Sequence, residues 1–227
     1  AHYEDIGRSL NAYNQENISK NLTRYYDGGS PTALWAVRSR GIDPATGQEI
    51  FVKKDGTLTY TFDYDDEVEV GDSRPTLEGV WGNTLYYKGW SASLQLRYSF
   101  GADVFNSTLF NKVENISSGS ITTNQDKRAL YDRWKKPGDK AKFKSISLTE
   151  TTPMSSRFVM KENYLAIESV RVGYQFNTKW LKKNLKISSL NINMYMNSIA
   201  RFSTLEDERG LYYPFARSIS FSLGAIL

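Results

Sequence analysis

Apolar and polar residues alternate with period two over long stretches of this chain. Between positions 90 and 100, Trp90, Ala92, Leu94, Leu96, Tyr98 and Phe100 share one face, and Ser91, Ser93, Gln95, Arg97 and Ser99 share the other. Such alternation predicts a β-strand with one face in an apolar medium and one in a polar medium. The run is unbroken over 11 residues. A tilted strand needs roughly 9–11 residues to cross a bilayer, and soluble strands average about half of that. Leu190, Ile192, Met194 and Met196 alternate in the same way with Asn191, Asn193, Tyr195 and Asn197. The last segment sets Phe215, Ile219, Phe221, Leu223, Ala225 and Leu227 against Ser218, Ser220, Ser222 and Gly224, with Arg217 interrupting its apolar face.

From 164 to 176, Val170, Val172, Tyr174 and Phe176 share a face but Leu165 and Ile167 lie on the other. Either a bulge near Glu168 restores the register or the first residues project past the apolar layer. In all, the pattern predicts strands near 33–40, 49–53, 57–62, 78–87, 90–101, 164–176, 187–199 and 215–227, and leaves 1–32 unassigned. Asp55-Gly56 and Lys88-Gly89 are tight-turn signals, and 177–186 is a fairly short link. These short links alternate with long connections at 63–76, 102–163 and 200–214. An up-and-down transmembrane barrel has that parity, with short periplasmic turns and long extracellular loops. Aromatic residues (Trp81, Tyr86, Tyr87, Trp90, Tyr174, Trp180) gather near the strand ends, where interfacial girdles sit; in a soluble sandwich the same rings would form the core.

Composition narrows the chemistry. The 227 residues contain no cysteine and one histidine, His2, which leaves no thiolate site, no disulfide framework and no His-based nucleophile system. The net charge of +4 is small and scattered, unlike a nucleic-acid-binding face. No segment reaches the roughly 18 apolar residues of a spanning helix, and mean hydropathy is −0.52 although 14% of residues are aromatic. Barrel strands, half of whose residues face a polar lumen, produce this combination; so does a β-rich soluble binding module.

Five segments then resemble, in order, the C-terminal part of the SusC/RagA family of TonB-dependent transporters. They are RSRGIDPATGQEIFVKKDG (38–56), NTLYYKGWSASLQLRYSFGADVFN (83–106), YDRWKKPGD (131–139), SSRFVMKENYLAIESVRVGYQF (155–176) and YPFARSISFSLGAIL (213–227). The chain departs from the family pattern at its final Leu227, usually aromatic, at Asn177, usually proline, and at Glu168, where basic or neutral residues are common. The resemblance implies an all-β, antiparallel up-and-down barrel in the bacterial outer membrane with a periplasmic C-terminus. This chain would supply about eight C-terminal strands (33–227) of a 22-stranded wall of the kind that holds a plugged lumen. It also implies uptake of glycans or peptides without enzymatic chemistry or a cofactor. The implied partners are a SusD-like surface lipoprotein acting as a lid, the remaining barrel and plug, TonB acting through that plug, and membrane lipid, with no nucleic acid. Phe215 to Leu227 would pair with a barrel strand outside this chain rather than with 33–40.

Candidate site residues follow. Gln95, Arg97, Arg171, Asn191, Asn193 and Asn197 are polar positions that would line the lumen, in a role that a merely hydrated wall would also explain. Tyr131, Arg133, Trp134, Tyr212 and Tyr213 lie in predicted extracellular loops, where they could meet substrate or lid, or fix the loop fold. Asp63, Asp65, Asp66 and Glu67 form a dense carboxylate run that lacks EF-hand spacing, so a calcium site is a minor reading beside a solvated loop. Two other functions fit the same pattern: a soluble β-sandwich that binds carbohydrate or acts as an adhesin, and a small self-contained structural barrel.

Overall fold

A computed structural model of the protein describes residues 2–117, 119, 122–205 and 218–226. Two compact units divide it: Ala1–Arg74 with Ala102–Lys161, and Pro75–Gly101 with Glu162–Leu227.

The second unit holds most of a five-stranded antiparallel sheet of β5 (Leu77–Tyr87), β6 (Trp90–Phe105), β7 (Val159–Phe176), β8 (Ser189–Ser203) and β9 (Ile219–Ile226). Its spatial order is the chain order, β5-β6-β7-β8-β9, the up-and-down arrangement that the link parity predicts. Lys88 and Gly89 form the turn between β5 and β6, both at positive φ (46° and 90°), as a two-residue hairpin of matching twist requires. Register carries the alternation across the sheet. Leu94 lies opposite Asn83 and Leu96 opposite Trp81; Val172 lies opposite Met194, which in turn lies opposite Phe221. Between Ile167 and Ser169 the register shifts, because their partners Ala200 and Asn197 are three residues apart. Ser198, at φ 50°, sits within the longer strand. The extra residue lies on β8, so Leu165 and Ile167 keep the parity of Arg171 along β7, and the bulge does not restore the register in the way expected of one at Glu168. The sheet is open, and among the described residues β9 pairs only with β8.

The first unit holds a separate four-stranded sheet of order β3-β2-β1-β4, made of β1 (Ala33–Ile42), β2 (Glu49–Val52), β3 (Leu58–Thr59) and β4 (Glu67–Asp72). This corrects the expected run of eight barrel strands in two respects. Strands at 33–40, 49–53 and 57–62 exist but do not continue the five-stranded sheet. The segment 63–76, expected as a loop, contains β4, which pairs with β1 from Val37 opposite Glu67 to Ala33 opposite Asp72. Glu67, Glu69 and Asp72 hid this strand, because carboxylates are depleted in strands, whereas pairing with β1 overrides that preference. Among the described residues, 33–42 thus pair with β2 and β4, and not with β9.

Helix α1 (His2–Asn17) occupies the unassigned start; Tyr3, Ile6, Leu10 and Tyr13 recur at helical spacing. The long connection is shorter than the expected 102–163, since β6 runs to Phe105 and β7 starts at Val159. It contains helical turns at Leu109–Glu114, Arg128–Tyr131 (α2) and Ser156–Phe158. Leu109, Val113, Ala129, Phe143 and Phe158 bury one another there, with Phe105 and Phe110 packed alongside. Among the described residues no helix is long and apolar enough to cross a membrane. Residues 206–217, including Tyr212, Tyr213, Phe215 and Arg217, lie outside the described residues.

Candidate functional site

The register of the five-stranded sheet gathers the polar candidates. Gln95 and Arg97 on β6, Arg171 on β7, and Asn191, Asn193 and Asn197 on β8 alternate with the apolar positions and share the opposite face. Gln95, Arg97, Arg171 and Asn193 form cross-strand hydrogen bonds there. Arg171 Nε and Nη2 donate to Asn193 Oδ1 at 3.2 and 2.8 Å, and Asn193 Nδ2 donates to Ser222 Oγ at 3.4 Å. Ser169 Oγ donates to Gln95 Oε1 at 3.4 Å. Arg97 Nε donates to Glu168 Oε1 at 2.9 Å, which supplies a partner for the unusual Glu168. Gly173 makes room for this network: a Cβ there would come within 2.4 Å of Asn193 Oδ1 and 2.7 Å of Ser91 Oγ. Near the β5–β6 turn a cavity of about 420 Å³ opens between Tyr86, Ser91, Arg171, Asn191 and Asn193. Its lining offers hydrogen-bond donors, acceptors and aromatic rings, with neither nucleophile–base pair nor metal ligands among the described residues.

The opposite face is apolar and exposed. Leu85, Trp90, Ile192, Phe221 and Leu223 retain 67, 54, 41, 72 and 71% of their surface. Trp90 and Tyr174 carry it across β6 and β7, with ring centroids 4.8 Å apart. Soluble proteins seldom expose contiguous apolar surface on this scale without a partner phase or protein.

In the first unit the loop candidates separate. Tyr131 stands out in solvent at 72% exposure. Arg133 is buried, so it is not available to a substrate or lid; its guanidinium donates to the backbone oxygens of Ala129 and Lys144 at 3.0 Å each. It also donates to the oxygens of Val113 and Glu114. Burial pushes its pKa down while neighbouring Glu114 opposes that shift. Trp134 is half-buried; its Nε1 donates to the Pro44 oxygen at 2.9 Å. Its ring lies over Gly47, which has φ 74° and where a Cβ would meet the ring at 2.6 Å. Gly138 N donates to the same Pro44 oxygen at 2.8 Å. The segments GIDPATG and RWKKPGD are therefore two halves of one loop contact. Both need their glycines: one for ring access, the other for its positive φ of 95°.

The carboxylate run does not converge on a cation position. Asp63 caps the turn at Tyr64–Asp66 by accepting from Asp65 N, and Asp66 accepts from Lys54 N at 3.0 Å. Among the described residues, Asp65 is not drawn into any group of metal ligands. Glu67 is buried against Arg24 through two hydrogen bonds of 3.0 and 2.8 Å.

A second buried charge cluster was not anticipated from the sequence. Arg157 Nη2 lies 2.8 Å from Glu49 Oε2 and 2.6 Å from Glu114 Oε1. Ser155 Oγ donates to Glu49 at 2.6 Å and Thr152 Oγ1 to Glu114 at 2.9 Å. Burial works against the Arg157 charge, but the hydrogen bonds and charges of Glu49 and Glu114 outweigh it and raise its pKa. The signal in the sequence was the presence of Glu49 and Arg157 inside resemblance-bearing segments. Nothing local paired them across 108 positions.

No protein-family model matches the chain. Over 144 residues it is 24% identical to the TonB-dependent receptor P39 of Formosa agariphila, which covers 62% of this chain and 14% of the receptor. Among solved structures it resembles the RagAB peptide transporter with a TM-score of 0.64 at 17% identity, over 78% of this chain and 20% of that one. The RagAB peptide importer gives similar values in its open-open state (0.64, 15%, covering 78% and 19%) and its closed-closed state (0.63, 16%, covering 77% and 20%). The chain spans about a seventh of the receptor and about a fifth of the solved chains. The chain is thus a distant sequence relative of a TonB-dependent receptor, and its fold matches part of the RagAB transporter chains.

Proposed function

We propose that the chain forms part of the barrel wall and extracellular loops of an outer-membrane importer of glycans or peptides. The observation that carries this reading is the two-faced sheet of β5 to β9. One face is continuous in apolar side chains that remain exposed, and the other is a hydrogen-bonded polar surface with a cavity. Lipid outside and water inside a barrel account for both. A sandwich core would bury Phe221 and Leu223. The polar residues Gln95, Arg97, Arg171, Asn191, Asn193 and Asn197 then line the lumen, where amide and guanidinium groups exchange hydrogen bonds with a passing polar solute. The β5–β6 turn, the 177–188 link and the end of β9 lie at one end of the sheet, which is periplasmic in this reading. Residues 1–76 and 106–158 then connect to the strands at the extracellular end. Exposed Tyr131 is a contact for substrate or for a SusD-like lipoprotein lid, and TonB acts through plug sequence elsewhere in the protein. The open edge of β9 pairs with a further wall strand, since unpaired backbone groups in hydrocarbon cost several kcal/mol each.

Single spin labels at Leu94, Phe221 and Asn193 of the full-length protein in bilayers test this. Labels at 94 and 221 should relax with oxygen and resist an aqueous nickel chelate, and the label at 193 should show the reverse. Chelate access at all three sites would overturn the barrel assignment in favour of a soluble module.

A further inference from the structure

Resting on that reading, we infer that the rim of the sheet at its short-turn end binds the anionic headgroups of phospholipids. The link between β7 and β8 reads Asn177-Thr178-Lys179-Trp180-Leu181-Lys182-Lys183-Asn184-Leu185-Lys186. Leu181 to Leu185 coil into one short helical turn that buries Leu181 and ends on Lys186 at φ 55°. Lys179, Lys182, Lys183 and Lys186 are all exposed, while Trp180 and Leu185 keep 62 and 51% of their surface. Lys88 joins them on the neighbouring turn, because Gln175 N donates to Gly89 O at 2.8 Å and brings that turn against the end of β7. No carboxylate side chain occurs in 85–92 or 174–191, and none of the five lysines forms an ion pair among the described residues.

Among the described residues, five cations thus stand in one group with no ion-pair partner where the apolar face stops. Solvent alone would not call for exposed Trp180 and Leu185 between them. A bilayer interface calls for all three features: an indole at headgroup depth, a leucine dipping into the acyl boundary, and lysines reaching anionic phosphates. An acidic periplasmic protein would match the charge, but it would not need the patch to continue into the apolar sheet face. The occupant is therefore lipid, and specifically phospholipid of the leaflet that meets the short turns.

The test is spin-labelled lipid association with the full-length protein in phosphatidylcholine bilayers at low and high salt. Phosphatidylglycerol should be immobilised at the protein surface about fivefold more than phosphatidylcholine at low salt, with the preference screened as salt rises. The variant K179Q/K182Q/K183Q/K186Q should reduce the ratio to about one while binding the same total lipid. Equal association of both lipids, or a preference unchanged in the variant, overturns the inference and leaves the barrel reading intact. No immobilised lipid of either kind defeats the barrel reading itself. Preference for labelled lipid A over phosphatidylglycerol would assign the rim to the other leaflet, and a ratio near one with an acidic protein retained only by the wild type would replace lipid with that partner.

Discussion

Arg157 sits between two buried carboxylates, Glu49 and Glu114, whose side chains are 6 and 0% exposed. Removing the cation leaves both without compensation, so Arg157→Leu should cost roughly 3–5 kcal/mol of the first unit's stability. Adding Glu49→Gln and Glu114→Gln should recover more than half, because the buried charge disappears with its partner. Hydrogen exchange of residues 106–158 reads both variants; equal losses in the single and triple variants would mean that packing rather than charge holds the cluster. Acid acts on other carboxylates of this unit. Asp43 is held below its ordinary 3.8 by the Ala45 backbone N–H and by Thr46 and Tyr60, Asp72 by Ser30 and Thr32, and Asp126 by Arg128. Groups with lowered folded pKa stabilise above their unfolded value and lose that contribution as pH falls through the lowered one. Glu67 acts in the opposite sense: burial raises its pKa, so its contribution is present below its ordinary 4.5 and lost as pH rises. Asp55, like Asp43, is lowered, by the Thr57 backbone N–H and hydroxyl; with four groups against one, the first unit should loosen as pH falls below about 4, and protease sensitivity of 106–158 measures it. Asp43→Asn should flatten part of that dependence, and an unchanged profile would remove Asp43 from the account.

At the scale of the element, the strands differ in what fixes them. β6 could be read from period two alone, because both its faces have a uniform environment from Trp90 to Phe100. β7 could not, since Leu165 and Ile167 keep the parity of Arg171 and face Phe202 and Ala200, which lie beyond the bulge on β8. β4 was invisible for a different reason: its alternation of Glu67, Val68, Glu69 and Val70 is short and acidic, and Glu67 is satisfied only by Arg24, 43 positions away. The faces of β6 and β8 can be tested against each other. Leu94→Arg should destabilise the bilayer-embedded protein by roughly 2–4 kcal/mol if the residue lies near the midplane. Asn193→Arg, on the polar face, should cost much less. Folding titrations into lipid bilayers, followed by heat-modifiable mobility on denaturing gels, separate the two. Equal penalties would mean that the faces are not lipid and lumen.

For the whole molecule, the separation into two units changes what the parity of links implies. Among the described residues, short and long connections alternate only from β5 onward, where the link residues are 88–89, 106–158 and 177–188. The earlier strands belong to a folded extramembrane unit in our reading, with its own core around Val113, Phe143 and Phe158. Lys140, which is exposed, tests the side. A Lys140→Cys variant of the full-length protein should react with an impermeant maleimide on intact cells. Reaction only after the outer membrane is ruptured would invert the topology.

What the sequence determined by itself was local: the period of β6, β8 and β9, the tight turn at Lys88-Gly89, and the exclusion of thiol and histidine chemistry. Each depends on neighbours within about a dozen residues, so the order of side chains contains it. The resemblance-bearing segments were visible as strings, but their roles were not. Arg133 was a candidate for contact with substrate until the fold enclosed it among four carbonyls. Trp134 became a wall of its own loop through Pro44 and Gly47, about ninety residues earlier. Tertiary structure also decided that 33–72 forms a sheet apart from 77–226. A strand's pattern tells which faces are apolar, but which neighbour it hydrogen-bonds to is decided by burial and charge pairs between residues far apart in the chain.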